Sequence, residues 1–366
     1  MQFGYTKVIS MLSAFPWLVQ GASVKRTPCR SASAVLPVDD QCCVWYEIQD
    51  DLQANLFSHS CEQEALEAVR IAFHDAVGRS RKVEVQGAFG GGGADGSILM
   101  FADVELAYPE NHAVDEIGYA LKSYADRHGV GYGDMIQFAA AVALTNCPGA
   151  PRLPFLAGRP DAKAPAPQHA NPSPSLAAED ILERMGDAGF TPEDTVALMA
   201  AHSIGRQRTL DPAVAGMPLD MTPGAFDTQF YLDVLLKGTL YPGPGADGNG
   251  NGSHYGAARS PSPAEFRIAS DAALARHPRT ACAWAAFIGR QDAMMAAFRA
   301  AMGKLAVNGQ DAAALVDCSG AVPPPQRDAW GLLAVSPLRF PPGTDAQDVE
   351  HSCAGQEMEM LLPVVG

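Results

Sequence analysis

Val69-Arg70-Ile71-Ala72-Phe73-His74-Asp75 sets a cation and an imidazole four residues apart inside an apolar run. Positions i and i+4 share one face of a helix, so Arg70 and His74 project together. Their neighbours Val69, Ile71, Ala72 and Phe73 belong in a core. Polar groups on such a helix carry a desolvation cost and call for a chemical reason. The plainer reading is a surface arginine beside a core histidine.

The same helical period recurs outward from this segment. Apolar positions of helical spacing run over Cys43 to Leu56, Cys61 to Val77, Val114 to His128, Gly133 to Leu144, Leu176 to Ala188 and Pro192 to His202. Further runs cover Phe226 to Lys237, Glu265 to Arg276, Thr280 to Met302 and Asp311 to Cys318. Alternating strand patterns are nearly absent, so the expected fold is mainly α. Two stretches read as linkers. Pro160 to Pro174 is rich in Pro and Ala and separates two halves. Pro242 to Pro263 is rich in Gly, Asn, Ser and Pro and holds the sequon Asn251-Gly252-Ser253, a glycosylation acceptor in a suitable setting.

The 366 residues are 47% hydrophobic, enough to bury a core of one large domain or two lobes. Residues 1–26 read as a signal peptide and short propeptide. Lys7 precedes an apolar stretch, the small residues Gly21, Ala22 and Ser23 follow, and Lys25-Arg26 forms a dibasic step. The remaining chain, 27–366, keeps 23 Lys+Arg against 41 Asp+Glu, a net charge near −18. That balance disfavours nucleic acid and anionic membranes as partners. All eight cysteines lie in this part, an even number without a CxxC pair. In a secreted chain they imply four disulfides, in any of 105 pairings.

Two more segments carry candidate chemistry. Gly90 to Gly93 precede Ala94-Asp95-Gly96-Ser97. The glycines let carbonyls turn inward, and Asp95, Ser97 and the nearby Asp75 add hard oxygen ligands of the kind Ca²⁺ takes. A phosphate loop is excluded, because no Lys-Ser/Thr follows the glycines; a plain flexible loop is the alternative. Farther on, His202 ends an apolar helix and Ser203 follows it. Asp220, Thr222 and Asp227 then offer oxygen ligands for a second calcium site. A lone histidine at such a place is more often structural than a ligand.

Taken in order and spacing, RIAFHDA (70–76), GGGGADGSI (90–98), LTNCPGAP (144–151), MAAHSIG (199–205) and DMTPGAFDTQFY (220–231) resemble the fungal class II secreted heme peroxidases. The likeness runs from about Cys29 to Cys353. PRLPFLAGR (151–159), ILERMGDAGFTPED (181–194) and FYLDVLLKGT (230–239) are most similar to the generic, Coprinus-type members.

The resemblance implies a two-lobed helical fold. Its distal lobe would span about 27–167, its proximal lobe about 168–340 and its C-terminal tail 341–366, with heme b held non-covalently between the lobes. It implies His202 as the axial iron ligand and Asp271 as the carboxylate on its other nitrogen. His74 becomes the distal acid–base, Arg70 its cationic partner, Asn111 the residue fixing its tautomer, Glu105 the residue behind Asn111, and Phe73 a cover over the heme. One Ca²⁺ would take Asp75, Gly93, Asp95 and Ser97, and the other Ser203, Asp220, Thr222, Ala225 and Asp227. The implied disulfides are Cys29–Cys43, Cys42–Cys318, Cys61–Cys147 and Cys282–Cys353.

The implied activity is reduction of hydrogen peroxide with one-electron oxidation of phenolic or other small aromatic donors, by a secreted monomer. The alternative is a manganese- or lignin-type ligninolytic peroxidase with non-standard surface oxidation sites. Manganese-oxidising members carry three acidic ligands where this chain has Gln63, Glu67 and Arg208. Lignin-type members carry a surface tryptophan where it has Ala197. Trp45 and Trp284 read as core, and Trp330 has no assignable counterpart. A different class, a calcium-dependent binding protein on a dead peroxidase scaffold, is disfavoured by the intact Arg70, His74, Asn111, His202 and Asp271.

Overall fold

The computed structural model describes residues 26–27, 38–240, 256–326, 337–350 and 353. Residues 1–25 of the leader, Cys29, Asn251 and Trp330 lie outside the described residues.

The fold is mainly α. In the first half come α1 (Cys43–Leu52), α2 (Gln63–Ala76), α3 (Arg81–Val85), α4 (Ser97–Met100), α5 (Ala102–Glu105), α6 (Asp115–His128) and α7 (Tyr132–Leu144). The second half supplies α8 (Ala178–Ala188), α9 (Pro192–Leu198), α10 (Gln229–Leu235), α11 (Ala269–Arg276), α12 (Ala281–Phe287) and α13 (Gln291–Ala306). Besides three isolated bridges, strand among the described residues is limited to three two-residue antiparallel pairs. They are Arg26–Thr27 with Val38–Asp39, Leu156–Ala157 with Val316–Asp317, and Ala257–Ala258 with Arg267–Ile268.

Helix α7 is the axis of the first half. Every residue from Gly133 to Leu144 is buried; the helix is largely apolar all round, and its buried Asp134 is paired with Arg159. Helix α2 lies along it and also approaches the 3₁₀ segment Met199–Ile204, so the segments bearing His74 and His202 meet. In the second half Phe230, Tyr231 and Trp284 pack as an aromatic cluster with centroids 5.0–5.5 Å apart. Helix α13 packs against both α9 and α2 and ties the halves together. Disulfides Cys42–Cys318, Cys61–Cys147 and Cys282–Cys353 cross-link distant chain, the first over 276 residues. Cys43 is also disulfide-bonded. Trp45 and Trp284 are core residues.

Several expected helices are cut by longer-range demands. The run Thr280 to Met302 is two helices, broken where Gly289 adopts φ +71°. Asp311 to Cys318 is not a helix: a 3₁₀ turn, Ala312–Ala314, leads into the strand that pairs with Leu156–Ala157. Helix α11 starts only at Ala269 because Arg267–Ile268 pairs with Ala257–Ala258. Helix α9 begins on a capping box, Thr191 Oγ1 accepting from the Asp194 N–H and Asp194 accepting from the Thr191 N–H. It is α-helical only to Leu198, so His202 sits on the tighter 3₁₀ turn that follows.

Candidate active site

His74, near the end of α2, places Nδ1 2.8 Å from Asn111 Oδ1. The Asn111 amide is oriented from its other side, where Nδ2 donates to the Glu105 carbonyl at 2.8 Å. An oxygen facing His74 requires Nδ1 to be the donor, which leaves Nε2 as the free base. Burial and the Arg70 charge push the His74 pKa down to about 3, against the raising effect of Asn111. The imidazole is thus neutral across ordinary pH. Arg70 donates to the His112 carbonyl at 3.1 Å. Its pKa is pushed down to about 10 by desolvation, yet its surface is accessible. Both hold if Arg70 lines a crevice that reaches deep into the protein. Phe73, half-buried beside His74, contributes an aromatic wall.

Glu105 meets Asn111 through its backbone. Its carboxylate instead accepts the Ala166 N–H at 2.9 Å; burial raises its pKa to about 7. The 160–174 stretch, read as a linker, is therefore pinned to the distal side. It delivers a residue that sequence reasoning missed: Asn171 Nδ2 lies 2.9 Å from Asn111 Oδ1 and 3.1 Å from His74 Nδ1. No periodicity or motif could have shown this, because the segment is irregular chain.

On the other side, His202 Nδ1 lies 2.9 Å from Asp271 Oδ2. The bond ties up one ring nitrogen, and the side chain remains 31% accessible, so Nε2 is available to a ligand. A histidine with a carboxylate on one nitrogen is a suitable axial donor for heme iron. With the neutral His74, the Arg70 charge and the Phe73 wall, the donor set fits a heme.

The two glycine- and aspartate-rich loops hold buried oxygens in excess. Asp75 accepts from Gly96 N at 3.0 Å and Ile98 N at 3.4 Å. Asp95 accepts from Ser97 N at 3.1 Å, while Ser97 Oγ is buried without a partner. Gly93, at φ +76°, has no room for a side chain: a Cβ would lie 2.3 Å from the Asn308 carbonyl oxygen. Burial, with the charges of Asp95 and Glu105 beside it, holds the Asp75 carboxyl well above its usual range; burial also raises Asp95.

In the second loop Asp220 accepts from Thr222 N at 2.9 Å, and Thr222 Oγ1 donates to Asp227 at 3.0 Å. Ala225 N donates to the Thr222 carbonyl, and Ser203 is fully buried. The second oxygens of Asp220 and Asp227 are buried without partners. Burial raises Asp227 to about 6, and burial with neighbouring Asp233 and Asp227 raises Asp220 well above the usual range. Among the described residues no three His, Cys, Asp or Glu gather at one point; the first site pairs Asp95 of the loop with Asp75 of α2, the second has Asp220 and Asp227, and hydroxyl and carbonyl oxygens lie around them. Hard oxygen sets of this kind suit Ca²⁺, which would neutralise the orphaned carboxylates.

At the position of the manganese ligands, Arg208 donates to Glu67. Ala197 is 2% exposed, so that position faces the core.

Residues 48–290 match the family model described as peroxidase, and residues 293–363 match the fungal peroxidase extension region. The chain is 51% identical over 316 residues to a low-redox potential peroxidase of Taiwanofungus camphoratus, covering 86% of each. It is 42% identical over 365 residues to a peroxidase of Coprinopsis cinerea, covering 98% of this chain and 97% of the relative. To ligninase B of Phanerodontia chrysosporium it is 41% identical over 344 residues, covering 93% and 89%. A histidine-and-arginine crevice on a mainly α fold, matched along nearly its whole length, places the chain in the peroxidase family, among the fungal class II heme peroxidases that reduce hydrogen peroxide.

Proposed function

We propose that the chain is a generic peroxidase that reduces hydrogen peroxide on the His74 side of a heme bound through His202 and oxidises phenolic or other small aromatic donors. The observation that carries the reading is the His74–Asn111 hydrogen bond at 2.8 Å, which leaves a neutral imidazole with a free Nε2. That nitrogen takes a proton from peroxide and returns it to the departing oxygen. Arg70 stabilises the negative charge that develops as the O–O bond breaks. Asp271 orients His202 and raises its basicity. Heme, when bound, supplies the redox chemistry that accepts oxidising equivalents from peroxide and passes them to donors singly.

The generic subtype is supported by the pairing of Arg208 with Glu67 and by the buried Ala197. Two structural Ca²⁺ ions would sit in the loops around Asp75 and Asp220. Three disulfides among the described residues suit an oxidising compartment, and no described helix is long and apolar enough to cross a membrane. The disulfides support secretion, and the net charge of −15 at pH 7 speaks against nucleic acid as a partner. The working unit is a monomer.

Stopped-flow mixing of the heme-loaded enzyme with peroxide tests the reading. Wild type should react rapidly, and Asn111→Val, which frees His74 to adopt the other tautomer, should react at least tenfold more slowly. Equal rates would remove the His74–Asn111 couple from the reaction.

A further inference from the structure

The amide of Asn171 touches the His74–Asn111 couple from a loop that carries no regular structure. We propose that Asn171 is a positioning residue for the peroxide step: its N–H locks the Asn111 oxygen in the orientation that keeps His74 Nε2 unprotonated. The proposal deepens the reading of His74 given above and rests on it.

The geometry is specific. Asn111 Oδ1 receives two donors, His74 Nδ1 at 2.8 Å and Asn171 Nδ2 at 2.9 Å, while Asn111 Nδ2 is held by the Glu105 carbonyl. The 3.1 Å between Asn171 Nδ2 and His74 Nδ1 is the spacing of two donors that share one acceptor. Turning the Asn171 amide over would press its oxygen against Asn111 Oδ1, acceptor to acceptor. In the orientation present, the Asn171 oxygen is buried without a partner. An unsatisfied buried oxygen is costly, and an apolar side chain of the same shape would avoid the cost. The polar side chain is explained by what its N–H does for Asn111.

The loop is built to hold this contact. Arg184 donates to the Ala170 carbonyl at 2.7 Å and also to the carbonyls of Val77 and Arg79, which follow α2. One guanidinium thus clamps the residue before Asn171 to the end of the helix that bears His74. Tyr108 and Glu105 hold Ala166, Glu110 accepts from the His169 N–H, and Ser270 N donates to the Pro174 carbonyl. Asn171 therefore reaches the couple from a fixed support, as a positioning group requires.

The test uses the full heme-loaded enzyme. Asn171→Leu removes the amide while keeping the branched outline of the side chain, and Asn171→Ala serves if the leucine variant does not load heme. The rate constant with peroxide should fall about 3–10-fold, the loss of one hydrogen bond, while the rate constant with a phenol stays within about twofold. Exchange of the His74 Nδ1 proton with solvent, followed by NMR, should quicken. In an Asn111→Val background the Asn171→Leu change should have no further effect, since its route is gone. A normal peroxide rate with altered phenol kinetics would overturn the proposal and make Asn171 a donor contact. An equal loss in both backgrounds would overturn it in favour of a general packing role. If Asn111→Val alone leaves the peroxide step intact, the reading of the couple fails; if only Asn171→Leu is neutral, this proposal fails alone.

Discussion

His202 Nδ1 and Asp271 Oδ2 lie 2.9 Å apart, the carboxylate 1% exposed and the imidazole 31%. A buried anion on one nitrogen makes the other a stronger donor to a metal. Asp271→Asn keeps the shape and removes the charge. The reduction potential of the heme should rise, and turnover with peroxide should fall roughly 10–100-fold. Spectroelectrochemistry reads the first effect and steady-state kinetics the second. An unchanged potential would show that the charge does not reach the iron.

His74→Ala should slow the reaction with peroxide by about 10²–10⁴-fold, the usual worth of a positioned acid–base group. Heme should remain bound, because its ligand is on the other side. The measurements are stopped-flow kinetics and the resting absorption spectrum.

The calcium assignment predicts a pH dependence whose sign can be worked out. Asp75, Asp95, Asp220 and Asp227 all have folded pKa values above the ordinary 3.8, Asp227 at about 6. With chelator present, the folded chain holds protons that the unfolded chain has lost. The contribution of these four groups to stability is then fully present below about pH 4 and is lost as pH rises through about 6 and beyond. Calcium takes over from those protons. Added Ca²⁺ should therefore raise the melting temperature strongly at pH 7 and little at pH 4. A calcium effect independent of pH would count against these loops as the sites.

Manganese should be a poor substrate. Mn²⁺ favours carboxylate and water oxygens. Here Gln63 is neutral, and Arg208 both occupies the Glu67 carboxylate and places a permanent charge beside it. Wild type should form little Mn³⁺ at millimolar Mn²⁺ while oxidising phenols readily. Gln63→Glu combined with Arg208→Asp should introduce saturable Mn²⁺ oxidation. Efficient wild-type activity would favour the manganese-type alternative.

The sequence alone determined what local spacing can encode. The i, i+4 relation of Arg70 and His74, the glycine run before Asp95, and the helical period through most of the chain follow from contacts a few residues long. Tertiary structure decided everything that depends on a distant partner. Strand pairing of Val316–Asp317 with Leu156–Ala157 overrode an expected helix. Glu105 reached Asn111 by its backbone and sent its carboxylate to Ala166. Asn171, in a stretch whose prolines and alanines spell only irregular chain, was carried onto His74 by Arg184 and two glutamates. A hydrogen bond across 60 residues, from Asn171 to Asn111, leaves no period in a sequence, because its geometry exists only once the helices on either side have packed.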